Sequence, residues 1–232
     1  MYSEIVADLE KLGNPEKARL ISSFFKTGEG QYGEGDVFLG ITVPEQRTVA
    51  KRYLDIGIED LKQLLASKIH EHRLVALMIL VEKFRKASEP ERKQIYSFYL
   101  GSTKYVNNWD LVDLTADRIV GEFLVDKNKA ILRRLSKSGN LWERRIAVVS
   151  TFAFIRRNQL DQTFELAEKL MQDKHDLIHK AVGWMLREAG KKNQHALEKF
   201  LKRQCRHMPR TMLRYSLEKF PESKRKFYMK RE

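Results

Sequence analysis

A cation recurs in register along this 232-residue chain, at a spacing that only a stack of helical units explains easily. Four apolar segments align: HRLVALMILVEKF from His72, RRIAVVSTFAFIR from Arg144, HKAVGWMLREAGK from His179 and RTMLRYSLEKF from Arg210. The cations in register are Arg73, Arg145, Lys180 and Arg210, separated by 72, 35 and 30 residues. The first gap is twice 36, and at its midpoint lies Trp109, in a further helix-like stretch, VNNWDLVDLTADRIVG. A unit that repeats at such a period cannot bury its apolar face alone, so neighbouring units must stack. The plainer reading is that long helices often carry arginine near their starts.

The helix signals agree with a repeat. Asn14-Pro15 reads as an N-cap followed by proline at the first helical position. Thr42-Val-Pro-Glu45 and Ser88-Glu-Pro-Glu91 both read as capping boxes. No convincing run of period-two alternation suggests a strand. The glycine-rich TGEGQYGEGD at 27–36 lacks the Gly-Lys-Ser/Thr ending of a phosphate-binding loop and reads as a helix connector. The expectation is an all-α, HEAT-like solenoid, one domain over 1–232 with a basic C-terminal repeat at 191–232. In a solenoid, equivalent positions line one concave face, so the register predicts a basic stripe there.

Charge points the same way. The formal net charge is +13 and the pI about 9.7. Residues 191–232 carry 14 Lys and Arg against four Glu, a net of +10. Such an excess favours a polyanionic partner, because each phosphate contact releases counterions. The bland alternative is a solvated basic tail. No apolar run reaches the ~20 residues that span a bilayer. The amphipathic, acid-containing N-terminus resembles neither a signal nor a transit peptide. Cys205 stands alone, which excludes an intramolecular disulfide and a cysteine-rich zinc site. The expectation is a soluble cytoplasmic protein without membrane association, nucleoid-associated when bound to DNA.

Three segments could carry chemistry. On an ideal helix from Trp109, the residues Val112, Ala116, Ile119, Val120 and Phe123 share the apolar face. Trp109 and Asp113 lie at its edge, one turn apart, so Asp113 is the partly desolvated carboxylate. Asp110 and Asp117 point further out, toward solvent or the helix dipole. In LWERRIAVVSTFAFIRR at 141–157, Arg145 lies beside an apolar strip and needs a carboxylate or a phosphate. In IHKAVGWMLREAGKK at 178–192, Lys180, Trp184, Arg187 and Lys191 share one face. An indole among cations suits a sugar-phosphate surface. Gly183, just before that indole, permits close approach of another backbone. Packing tryptophans, a paired surface acid and an internal salt bridge are the corresponding plain readings. The six histidines form no ligand set, so no metal and no cofactor is expected. No nucleophilic serine, cysteine or Schiff-base lysine stands out.

Together, FLGITVPEQR (38–47), NNWDLVDLTAD (107–117), LWERRIAVVSTF (141–152) and HKAVGWMLRE (179–188), preceded by KTGEGQYGEGD (26–36), resemble AlkD-type DNA alkylation repair proteins. The resemblance covers roughly residues 20–190 in order and spacing. It implies a HEAT-like solenoid that binds duplex DNA, as a monomer, on its concave face. It implies a monofunctional glycosylase acting on N3- and N7-alkylated, cationic purines without flipping the base. Carried over residue by residue, Trp109, Trp184 and Asp113 would contact the damaged deoxyribose, and Arg145 the phosphate backbone. Phe24 stands where some members place a tyrosine near the lesion, so one hydrogen bond is in doubt. Arg73, Lys180, Arg187, Lys191 and Arg210 are the further DNA-contact candidates from the register and the Trp184 face. Two other functions stay open on the residues alone: a non-catalytic DNA-binding repeat protein for damaged or branched DNA, and a protein-interaction scaffold.

Overall fold

The computed structural model describes residues 1–230, which form two compact units, 1–115 and 116 onward. Both are helical. Among the described residues the one β feature is an isolated parallel bridge between Val37 and Ile69. No described helix is long and apolar enough to cross a membrane.

The first unit runs α1 (Tyr2–Leu12), α2 (Pro15–Phe24), α3 (Val43–Arg52), α4 (Ile58–Leu65), α5 (His70–Lys86), α6 (Glu89–Gly101) and α7 (Trp109–Asp113). Local chemistry starts several of them. Asn14 accepts from the Lys17 amide at 3.0 Å, and both expected capping boxes close, through Glu45 and Glu91. Helix α5 is the core. Leu74, Val75, Leu77, Ile79 and Leu80 are essentially inaccessible, and α3, α4, α6 and α1 pack around it. Burying each such side chain is worth about 1.5–3 kcal/mol. Its first turn is unusual: His70, Glu71, His72 and Arg73 are polar and all buried. Glu71 is satisfied by the amides of Leu39, Gly40 and Ile41 at 2.8–3.3 Å, which ties the loop before α3 onto α5.

The second unit opens with a five-residue π-helical turn, Asp117–Gly121. It continues through α8 (Glu122–Leu124), α9 (Ala130–Leu135), α10 (Leu141–Val149), α11 (Phe152–Arg156), α12 (Asp161–Lys169), α13 (Asp176–Lys192), α14 (Gln194–Gln204), α15 (Arg210–Ser216) and α16 (Glu222–Met229). Helix α13 is its centre, packed by α10, α12, α14 and most extensively by α15. Gly183 is where α15 comes closest. A Cβ there would lie 2.5 Å from Tyr215 Cβ and 2.6 Å from the Met212 carbonyl oxygen. The close approach expected at this glycine is present.

Candidate active site

Helix α7 is five residues long, too short to hold itself in water. Side chains from the rest of the first unit hold it. Asn108 caps it, its Oδ1 accepting from the Trp109 amide at 2.8 Å. The Asn107 and Asn108 side-chain amides both donate to the Asp36 carboxylate, at 3.0 and 3.2 Å. Asp36 closes the glycine-rich loop. It also accepts from Arg73 Nη2 at 2.6 Å and His70 Nδ1 at 3.0 Å. The other ring nitrogen of His70 lies 2.8 Å from Asp110 Oδ2 on α7.

The protonation state follows from this geometry. Ionised carboxylates only accept, so each imidazole nitrogen must carry a proton. Burial pushes the His70 pKa down, but the charges and hydrogen bonds of Asp110 and Asp36 outweigh it and raise it to about 9. Burial pushes Asp36 up, and His70, Arg73 and Asn108 together hold it below the usual carboxylate range. His70 and Arg73 thus face Asp36 and Asp110 in a buried site. The loop that delivers Asp36 is fixed to α5 by the Val37–Ile69 bridge, in which the His70 amide donates to the Val37 carbonyl at 2.8 Å. Gly33 keeps that loop close: a Cβ there would lie 2.5 Å from the Phe25 carbonyl oxygen.

Above this cluster sits an aromatic stack. Phe25 lies parallel to Trp109 at 5.0 Å, with 8° between the planes, and its ring centre is 5.2 Å from His70. Phe38 stacks on His70 at 4.5 Å. Phe24, 68% exposed, meets the Trp109 ring edge-on at 5.9 Å. Trp109 and Asp113 are both half-buried.

In the second unit Trp184 is half-buried on α13 and leans on Phe152 at 5.9 Å. The cations of its face hold acidic partners. Lys180 pairs with Asp176 at 2.8 Å, Lys191 with Glu188 at 2.8 Å, and Arg187 with both Glu188 and Glu218. Arg145, 5% exposed, donates to the Leu177 carbonyl in the first turn of α13. His175 caps the same helix by accepting from the Leu177 amide, and burial holds its pKa below the ordinary value, as an accepting nitrogen requires.

A family model described as DNA alkylation repair enzyme matches residues 5–220. The chain belongs to the DNA alkylation repair enzyme family. DNA is therefore its substrate, and repair its role. A solved structure described as a predicted DNA alkylation repair enzyme from Enterococcus faecalis superimposes with a TM-score of 0.69 at 21% identity, covering 90% of this chain and 97% of that one. The likeness places this chain in the same all-α, helical-repeat fold. No curated protein matches the chain.

Within the family frame, the first unit brings Trp109, Asp113 and Phe24 to one place, and the second brings Lys180, Trp184, Arg187 and Lys191 to one helix face. The register cations do not form one exposed stripe. Arg73, 4% exposed, is turned inward to Asp36 and the Ser67 carbonyl, and Arg145 is buried as described. Arg73 lies in the first turn of α5 and Arg145 midway along α10, and in both places the chain's own oxygens claim the guanidinium. Arg210 is exposed and donates to the Met229 carbonyl at 2.7 Å. Asp110 and Asp117 are not outward-facing either. They are 6% and 4% exposed, held by His70 and by Arg156 at 2.7 Å. Asp110 is buried because His70 from α5 meets it, and Asp117 lies beyond α7, where the chain re-forms as a π turn. Asp36 and His70 were missed altogether. Their one sequence signal is an aspartate closing a glycine-rich loop in a chain that also has an Asn-Asn pair before a tryptophan.

Proposed function

We propose that the chain is a monofunctional DNA glycosylase that hydrolyses the N-glycosidic bond of N3- and N7-alkylated purines in duplex DNA. The observation that carries the reading is the Trp109–Asp113 pair, one turn apart on a helix fixed from below. Such a purine already bears positive charge and leaves as the neutral alkylated base, so no general acid is needed. As the C1′–N bond breaks, positive charge develops on the sugar. Asp113 stabilises that charge electrostatically and orients water for attack on C1′. The attacking water leaves its oxygen on C1′ and its proton passes to solvent, so the product is an abasic site in an unbroken strand. The indoles of Trp109 and Trp184 add cation–π stabilisation at the deoxyribose.

In this reading the chain binds duplex DNA as a monomer in the cytoplasm. Lys180, Arg187, Lys191 and Arg210 contact phosphates, and Arg145 and Arg73 reach them only if their internal partners are exchanged. Phe24 offers the lesion an apolar edge, and no base is flipped out.

The test is incubation of the purified protein with methylated duplex DNA, following free 3-methyladenine and 7-methylguanine and alkali-labile sites together. Free base with an alkali-labile but intact strand is the expected result. Salt-dependent DNA binding without base release would instead make the chain a non-catalytic DNA-binding repeat protein.

A further inference from the structure

The buried cluster beneath α7 does more than satisfy its own charges. We infer that Asp36, His70 and Asp110 are positioning residues that set the register and tilt of α7, and with it the placement of Trp109 and Asp113 at the deoxyribose. The inference rests on the glycosylase reading for what that placement is for, but its geometry stands apart from it.

Three observations carry it. First, the polar ties on α7 converge. Asn107 and Asn108 end on Asp36, Asp110 ends on His70, and Asp110 Oδ1 also accepts from the Leu111 amide at 2.9 Å. Leu111 and Val112 anchor α7 in the core, and these polar ties add the directional constraint that apolar packing lacks. Second, the same imidazole ring supports the indole. His70 lies against Phe25, and Phe25 stacks in parallel on Trp109. A change at His70 is therefore felt at Trp109 by two routes, the helix and the stack. Third, the cluster is closed. His70 faces Asp36 from the loop and Asp110 from α7, and Arg73 from its own helix is spent on Asp36 and the Ser67 carbonyl. The neighbouring Glu71 is engaged by loop amides and His72 by the Ser67 hydroxyl, so neither stands in for a lost member. Each oxygen of Asp36 accepts from two donors, so moving one member disturbs the others.

Displacing a reacting group by about 1 Å costs roughly 100-fold in rate. The test compares the wild type with His70→Gln and with Asp110→Asn, a milder change of the same shape. Single-turnover base release at saturating protein is expected to fall by roughly 10- to 100-fold in each, with the Kd for methylated duplex within about twofold of wild type. The second readout needs no chemistry. The indole N–H resonance of Trp109, assigned by its loss in Trp109→Phe, shifts in both variants, while those of Trp142 and Trp184 stay in place. Wild-type release rates in both variants would overturn the inference, as would an unmoved Trp109 resonance. If the wild type itself releases no base, the glycosylase reading fails, and the resonance alone decides whether the cluster positions α7.

Discussion

Around Trp109 the charges are buried and shared among several partners, whereas around Trp184 they lie near the surface and are paired two or three at a time. In the first unit one histidine bridges two carboxylates and one carboxylate takes four donors. In the second, Lys180, Arg187 and Lys191 hold carboxylates on their own helix or, for Arg187, also Glu218 just past α15. The physical consequence differs. Breaking a buried pair leaves an uncompensated charge and costs about 3–5 kcal/mol, while an exposed pair is worth roughly 0–1 kcal/mol. The first arrangement holds a geometry. In the second, the Lys180–Asp176 pair, 39% and 54% exposed, can part at little cost.

The contrast can be broken by substitution. The largest effect is expected at Asp36→Ala, which strands Arg73 and His70 in the interior and should lower unfolding stability by about 3–5 kcal/mol in urea titrations. A loss under about 1 kcal/mol would mean the cluster is better hydrated than its burial indicates. His70 adds a pH signature. Its folded pKa of about 9 lies above the ordinary 6.5, so its protonated form stabilises the fold fully below about pH 6.5, and that stability is lost as pH rises toward 9. The stability gap between wild type and His70→Gln should therefore shrink with rising pH, by an amount of order 3 kcal/mol. A gap constant with pH would show that His70 is not charged. Gly183→Ala should cost about 1–3 kcal/mol, because its new methyl meets Tyr215 and the Met212 backbone. The smallest stability effect is expected for Lys180→Ala with Lys191→Ala, under about 1 kcal/mol. The same pair should reduce the salt dependence of DNA binding by a slope of about two, and an unchanged slope would take α13 out of the DNA contact.

What could be read from the residues alone divides along the same line. The Asn14 cap, the two capping boxes, the close approach at Gly183 and the burial of Val112, Ala116, Ile119 and Val120 are local patterns, and all are present, while Phe123 of the same expected face is half-buried. The all-α repeat was legible because it is a periodicity. The cluster was not. His70 and Asp110 are 40 residues apart, and Asp36 and Asn108 are 72 apart, so no window of helical spacing contains them. The same blindness put Asp110 on the surface, since a helical wheel counts rotation and cannot know that a cation from α5 waits for it. Arg73 and Arg145 misled in the opposite sense. A cation at a repeat position looks like a ligand for phosphate until the interior supplies an oxygen first.

In the proposed reaction Asp113 stabilises charge on the sugar while Trp109 frames it. The most direct measurement is single-turnover release of 7-methylguanine from methylated duplex at saturating protein, for wild type and Asp113→Asn side by side. The expected result is release by the wild type and a loss of at least about 100-fold, roughly 3 kcal/mol of transition-state stabilisation, in the variant, with DNA affinity retained. Equal rates for the two proteins would contradict it, and would move the chemistry away from α7.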